Sequence, residues 1–76
     1  MRELVEFLAR ELVDDPDAVV VEESRDDRGV LLTVHVAPDD MGKVIGRGGR
    51  TAKAIRSVVR AAATRQDLFA RVDIAD

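Results

Sequence analysis

Seventy-six residues with a net charge of −3 make room for one small domain, and a mildly acidic total argues against a nucleic-acid partner. The absence of cysteine excludes a disulfide framework, a thiolate metal site and a Cys nucleophile. With 46% apolar and 36% charged residues the chain reads as globular, and no apolar run approaches the roughly 20 residues of a membrane span.

Residues 2–13 read as an amphipathic helix. Leu4, Val5, Leu8 and Leu12 fall at helical spacing, with Phe7 and Val13 beside that stripe. Glu3, Glu6 and Glu11 interrupt the apolar positions, so the segment is no secretory leader, and the expectation is a soluble, cytoplasmic chain. Asp14, Asp15 and Pro16 stop the helix. Residues 18–23, built on Val19, Val20 and Val21, predict a short strand, and residues 24–29 a polar turn closed by Gly29. A second strand covers 30–36. Val30, Leu32, Val34 and Val36 share one face, and Leu31, Thr33 and His35 the other. The turn is too long to set the pairing direction or register. Asp39 or Asp40 is placed to cap a short helix over 41–45 that ends at Gly46. Gly46-Arg47-Gly48-Gly49 is too glycine-rich for a helix interior and reads as a tight loop. Residues 50–64 predict a long helix burying Ala52, Ile55, Val59, Ala62 and Ala63, and residues 70–74 a last strand in which Val72 and Ile74 alternate with charge. The expected fold class is α+β, a three-stranded sheet covered on one face by helices, in the order α-β-β-α-α-β.

The small total charge hides a division. Residues 41–66 hold seven bases, Lys43, Arg47, Arg50, Lys53, Arg56, Arg60 and Arg65, and no acid, whereas the rest of the chain holds five bases against fifteen acids. A basic window centred on a glycine loop is a local field that attracts phosphates. Arg50, Lys53, Arg56 and Arg60 recur at three- or four-residue spacing and share a helical face. The helix after the loop points its N-terminal amides and positive dipole end at the same place.

The run Val44-Ile45-Gly46-Arg47-Gly48-Gly49-Arg50-Thr51-Ala52-Lys53-Ala54-Ile55 resembles the KH-domain signature, in which two helices flank a G-x-x-G loop that clamps about four nucleotides of a single strand. Gly46 and Gly49 match the two glycines, and Val44, Ile45 and Ile55 match aliphatic flanking positions. The element order is similar to the type II KH arrangement, so the resemblance covers residues 1–76 as a single KH domain. It is closest in kind to small bacterial proteins consisting of one KH domain. That resemblance implies an RNA chaperone or post-transcriptional regulator, active as a homodimer or beside a larger KH-containing partner, with roles in cell-envelope homeostasis and cell-length control. It also implies the site: the Gly46–Gly49 loop on two phosphates, Lys43, Ile45, Ala52 and Ile55 around an aliphatic groove for bases, and Arg50, Lys53 and Arg56 adding salt-dependent affinity. Arg60 and Arg65, at the far end of the helix, are left out of it.

Other chemistries fit the residues less well. Position 47 is Arg where G-x-x-x-x-G-K-[ST] requires Gly, and Thr51 stands where G-x-G-x-x-G requires its third Gly. His35 is the only histidine, Ser24 and Ser57 are the only serines, and the basic window has no acid, so binding without catalysis, cofactor or metal is expected. The two phenylalanines, Phe7 and Phe69, with no Trp or Tyr, argue against an aromatic stacking platform. The alternative is a KH fold used for protein interaction, with the acidic first helix and the Leu31 face of the sheet as its surfaces. Single-stranded DNA is an open second ligand, because nothing in the residues reads a 2′-hydroxyl.

Overall fold

The computed structural model describes residues 1–75. Its elements are α1 (Arg2–Leu12), β1 (Val20–Asp26), β2 (Gly29–His35), α2 (Met41–Ile45), α3 (Arg50–Arg65) and β3 (Ala70–Ala75), the order expected from the sequence. The strands form one sheet in the order β1-β2-β3, with β1 antiparallel and β3 parallel to β2. A parallel pair needs a crossover of a dozen residues or more. Here α2 and α3 supply it, and the glycine loop lies between them.

Strand alternation builds the core. Val30, Leu32 and Val34 point to the helices and are buried, and register brings Val34 beside Val21 and Ile74, and Leu32 beside Val72. Val5 and Ala9 of α1, Val44 of α2 and Ile55, Val59 and Ala63 of α3 close over that layer. Leu31, Thr33 and His35 lie half-buried on the opposite face, as their alternation predicts.

Four expectations are corrected. The first strand begins two residues late, after a one-turn helix over Pro16–Ala18, and runs on to Asp26. Ser24 pairs with Leu31 and Arg25 with Val30, so only Asp27 and Arg28 remain as the hairpin turn. The Asp26 carboxylate secures it by accepting the Arg28 amide at 2.7 Å. In α1 the buried residues are Val5 and Ala9, while Phe7 is 60% exposed, on the side away from the sheet. Ala62 is half-buried and not a core residue. Asp40 stands at the N-cap position of α2 as expected, but its side chain makes no capping hydrogen bond among the described residues and turns inward instead.

Helix α3 ends in a defined turn. Leu68 N–H donates to Ala63 O at 2.9 Å and Asp67 N–H to Thr64 O at 3.1 Å. This pair of bonds is a Schellman closure, and it requires the residue between, Asp67, to hold φ 56. The reversal delivers the chain into β3 beside α3.

Candidate nucleic-acid interface

The loop geometry follows from its glycines. Gly46 N–H closes α2 on Gly42 O at 2.8 Å, then leaves the helix with φ 76. A β-carbon at Gly46 would collide with the side chain of Thr51 and stand 2.8 Å from its backbone nitrogen. The close approach of Gly46 to the first turn of α3 is therefore open only to glycine. Gly48 and Gly49 also hold positive φ, 64 and 78, but a β-carbon there would meet open space. Arg47 is the one side chain of the loop and is exposed. Gly49 N-caps α3 with no side-chain hydrogen bond among the described residues, so the positive end of a 16-residue helix opens on the loop.

Helix α3 divides lengthwise into three. Ala52, Ile55, Val59 and Ala63 enter the core. One flank carries exposed Lys53, Arg56 and Arg60, with Arg50 at its start. The other carries Thr51, Ala54 and Val58, which with Leu8 and Leu12 of α1 line an apolar groove of about 250 Å³. The basic flank borders β3, one of the two edge strands of the sheet: Arg56 Nε donates to Val72 O at 3.1 Å.

Among the residues expected at the site, Gly46, Arg47, Gly48, Gly49, Arg50, Lys53 and Arg56 lie together along the loop and this flank. Ile45 is 37% exposed next to the loop. Ala52 is buried beneath it. Ile55 is buried and lines the groove toward α1, on the side of α3 away from β3. Lys43 turns elsewhere. Its Nζ lies 3.1 Å from Asp14 Oδ2 and 3.7 Å from Asp40 Oδ1. The pairing with Asp14, more than that with Asp40, keeps the ammonium charged above the usual lysine range, against the desolvation it suffers.

Asp40 anchors that cluster. It accepts the Asp14 amide at 3.2 Å and the Asp15 amide at 3.1 Å, and so ties the end of α1 to the start of α2. Burial acts most strongly on its carboxyl and pushes the pKa up. The two amides and Lys43 together outweigh burial and hold it below the ordinary value.

One basic residue that the sequence reading set aside joins the flank. Arg60 shares a pocket with Arg56, Phe69, Ala70, Arg71 and Val72 at the α3–β3 border. Its place in the series Lys53, Arg56, Arg60 was a visible signal; that β3 would bring Phe69 and Arg71 to meet it was not.

Two helices meeting at a G-x-x-G turn, over a mixed sheet with a parallel β2–β3 pair, are the parts of a type II KH domain. The family model described as "KhpA/KhpB, KH domain" matches residues 2–74. Among curated relatives, the RNA-binding protein KhpA of Halalkalibacterium halodurans is 57% identical over 76 residues, covering 100% of both chains. The protein of that name from Mycobacterium tuberculosis is 51% identical over 72 residues, covering 95% of this chain and 86% of the relative. That from Streptomyces coelicolor is 49% identical over 76 residues, covering 100% and 92%. The chain belongs to the KhpA/KhpB KH-domain family.

Proposed function

We propose that this chain, one KH domain over residues 1–76, binds single-stranded RNA in the cytoplasm through the Gly46–Gly49 loop and the basic flank of α3, without catalysis. The observation that carries the reading is the meeting of three devices at one place: an exposed Arg47 on a positive-φ loop, the uncapped start of α3, and the Lys53–Arg56 flank running from it. The relatives' names, RNA-binding protein, support the ligand class. Phosphates would rest on the loop amides and Arg47, and bases over the border of α3 and β3. A strand held by few phosphates binds weakly, so a second module adds avidity. The biological role in this reading is that of an RNA chaperone or post-transcriptional regulator, alone or beside a KhpB-type partner, in cell-envelope homeostasis and cell-length control.

Mobility shift of single-stranded RNA tests it. Arg47→Glu and Gly48→Asp are the informative variants, because both side chains enter open space and aspartate tolerates the left-handed region. Gly46 is unsuitable, since any side chain there strikes Thr51. Each variant should melt as a folded domain and lose RNA binding at least about tenfold. Undiminished binding in both would remove the loop from the site. Single-stranded DNA of the same sequence serves as the second ligand.

A protein-interaction role has its own observation. Leu12 and Val58 stay 37% and 47% exposed in the apolar groove between α1 and α3, a surface suited to a second copy of the chain. Val58→Asp should convert a sedimenting dimer to monomer; a dimer that survives it lies on another face.

A further inference from the structure

The flank of α3 that faces away from the basic row has a charge pattern of its own. Thr51, Ala54 and Val58 line the apolar groove there, with Leu8, Glu11 and Leu12 of α1 opposite them. The flank runs on past the groove. Ala61 is exposed, Ala62 is half-buried, and Arg65 stands exposed in the last turn of the helix. Thr51, Val58 and Arg65 follow one another at intervals close to two helical turns, so they lie in one line along α3. Two charges on this surface have no ion-pair partner among the described residues: Glu11 at the rim of the groove, and Arg65 beyond its end. Within one chain they do not meet.

We propose that a second copy of this chain docks on the groove with its α3 antiparallel to the first, so that Arg65 of each copy pairs with Glu11 of the other. The inference rests on the protein-interaction reading and deepens it, naming the orientation and the contact that sets it. A two-fold axis at Val58 lays Arg65 of one copy over Thr51 of the other, because both stand equally far along the helix from the axis. Thr51 lines the groove that Glu11 rims, so guanidinium arrives beside carboxylate at both ends of the interface. A parallel arrangement sets Arg65 against Arg65 and Arg50 against Arg50, and it aligns the two helix dipoles in the same sense. Charge therefore selects the antiparallel pair. Alanine at positions 54, 61 and 62 adds no side chain long enough to hold the helices apart, so the axes can approach to about 8 Å. The Lys53–Arg56–Arg60 flank lies on the far side of α3 and stays open to RNA.

The test is a charge swap followed by analytical ultracentrifugation. Both positions are exposed, so reversal leaves the fold intact. Glu11→Arg sets arginine against arginine at both ends of the interface, and Arg65→Glu sets glutamate against glutamate. Each single variant should raise the dimer dissociation constant at least about tenfold. Mixed in equal amounts, the two variants should form a heterodimer within about threefold of wild-type affinity, because every arginine then faces a glutamate. That recovery also shows that both variants are folded. If both variants dimerise as wild type does while Val58→Asp dissociates the dimer, the docking face stands and the antiparallel pairing is wrong. If the variants are weakened singly and the mixture recovers nothing, Arg65 and Glu11 do not meet. If wild type sediments as a monomer, or its dimer survives Val58→Asp, the docking face is wrong and the inference falls with it.

Discussion

Gly46 packs against Thr51 so closely that no β-carbon fits between them: it would overlap the threonine side chain and stand 2.8 Å from the threonine nitrogen. This contact sets the angle at which α2 hands the chain to α3, and so the width of the loop. Gly46→Ala brings two costs. A side chain at φ 76 costs about 1–2 kcal/mol, and forcing atoms into a filled space costs about 1–3 kcal/mol more. Gly48→Ala, at φ 64 in open space, brings only the first. Urea titration should rank Gly46→Ala as the more destabilised by at least about 1 kcal/mol. Equal midpoints for the two would mean that the loop relaxes freely around position 46.

The Asp40 cluster gives the fold an acid limit. Its carboxyl titrates below the ordinary value because the Asp14 and Asp15 amides and Lys43 outweigh the upward push of burial. The folded state thus binds fewer protons than the unfolded state at mildly acid pH. The stabilisation is complete above the normal aspartate pKa, about 4, and is lost as pH falls through the lower folded value. The urea midpoint should drop across that window. Asp40→Asn should lower the midpoint at neutral pH, since an amide cannot replace both carboxylate oxygens, and should flatten the acid fall. A profile equally steep in the variant would place the acid sensitivity in other carboxylates.

Two lysines of the basic window separate into different jobs. Lys43 is engaged by Asp14 and Asp40, whereas Lys53 is exposed on the flank of α3. Lys43→Ala should lower the urea midpoint and leave the salt dependence of RNA binding as it is. Lys53→Ala should stay within about 0.5 kcal/mol of wild-type stability. It should also lower the slope of log K against log salt by about 0.7, the value of one phosphate contact on a single strand. A Lys43 variant with wild-type stability and a reduced slope would restore Lys43 to the RNA site.

These contrasts show what the sequence carried and what it did not. The order of elements was legible because apolar spacing changes period at each boundary: two in Val30–Leu32–Val34, three to four in Ala52–Ile55–Val59. The loop was legible because three glycines in four residues have few other uses. Local polarity misled where a long-range partner overruled it. Ser24 and Arg25 read as turn residues, yet β2 holds them extended opposite Leu31 and Val30. Lys43 read as a residue at the rim of the base groove because it precedes the loop, while its acidic partner Asp14 lies in the chain end following α1. Ile55 read as a groove residue, and the rotation of α3 points it toward α1. The meeting of Arg60 with Phe69 and Arg71 depends on β3 lying alongside α3, a tertiary fact with no local signature.

The last turn of α3 offers a test of the fold that leaves the interface untouched. Asp67 holds φ 56 inside the Schellman closure, a conformation that side chains other than Asn and Asp rarely adopt and that glycine enters without cost. Its carboxylate also faces the negative end of the helix dipole, where an acid is unfavourable. Asp67→Gly removes both penalties and adds backbone freedom to the unfolded chain, which offsets part of the gain. The net expectation is a stabilisation of about 1 kcal/mol, or about 4–8 °C in Tm for a domain of this size. Asp67→Ala keeps the left-handed strain without the carboxylate's local hydrogen-bonding capacity, and it should melt below the glycine variant. RNA affinity should be the same for all three proteins, because position 67 lies beyond the basic flank. If Asp67→Ala matches Asp67→Gly in melting temperature, the turn does not hold its left-handed geometry in solution, and the hand-over from α3 to β3 is looser than the two closing hydrogen bonds imply.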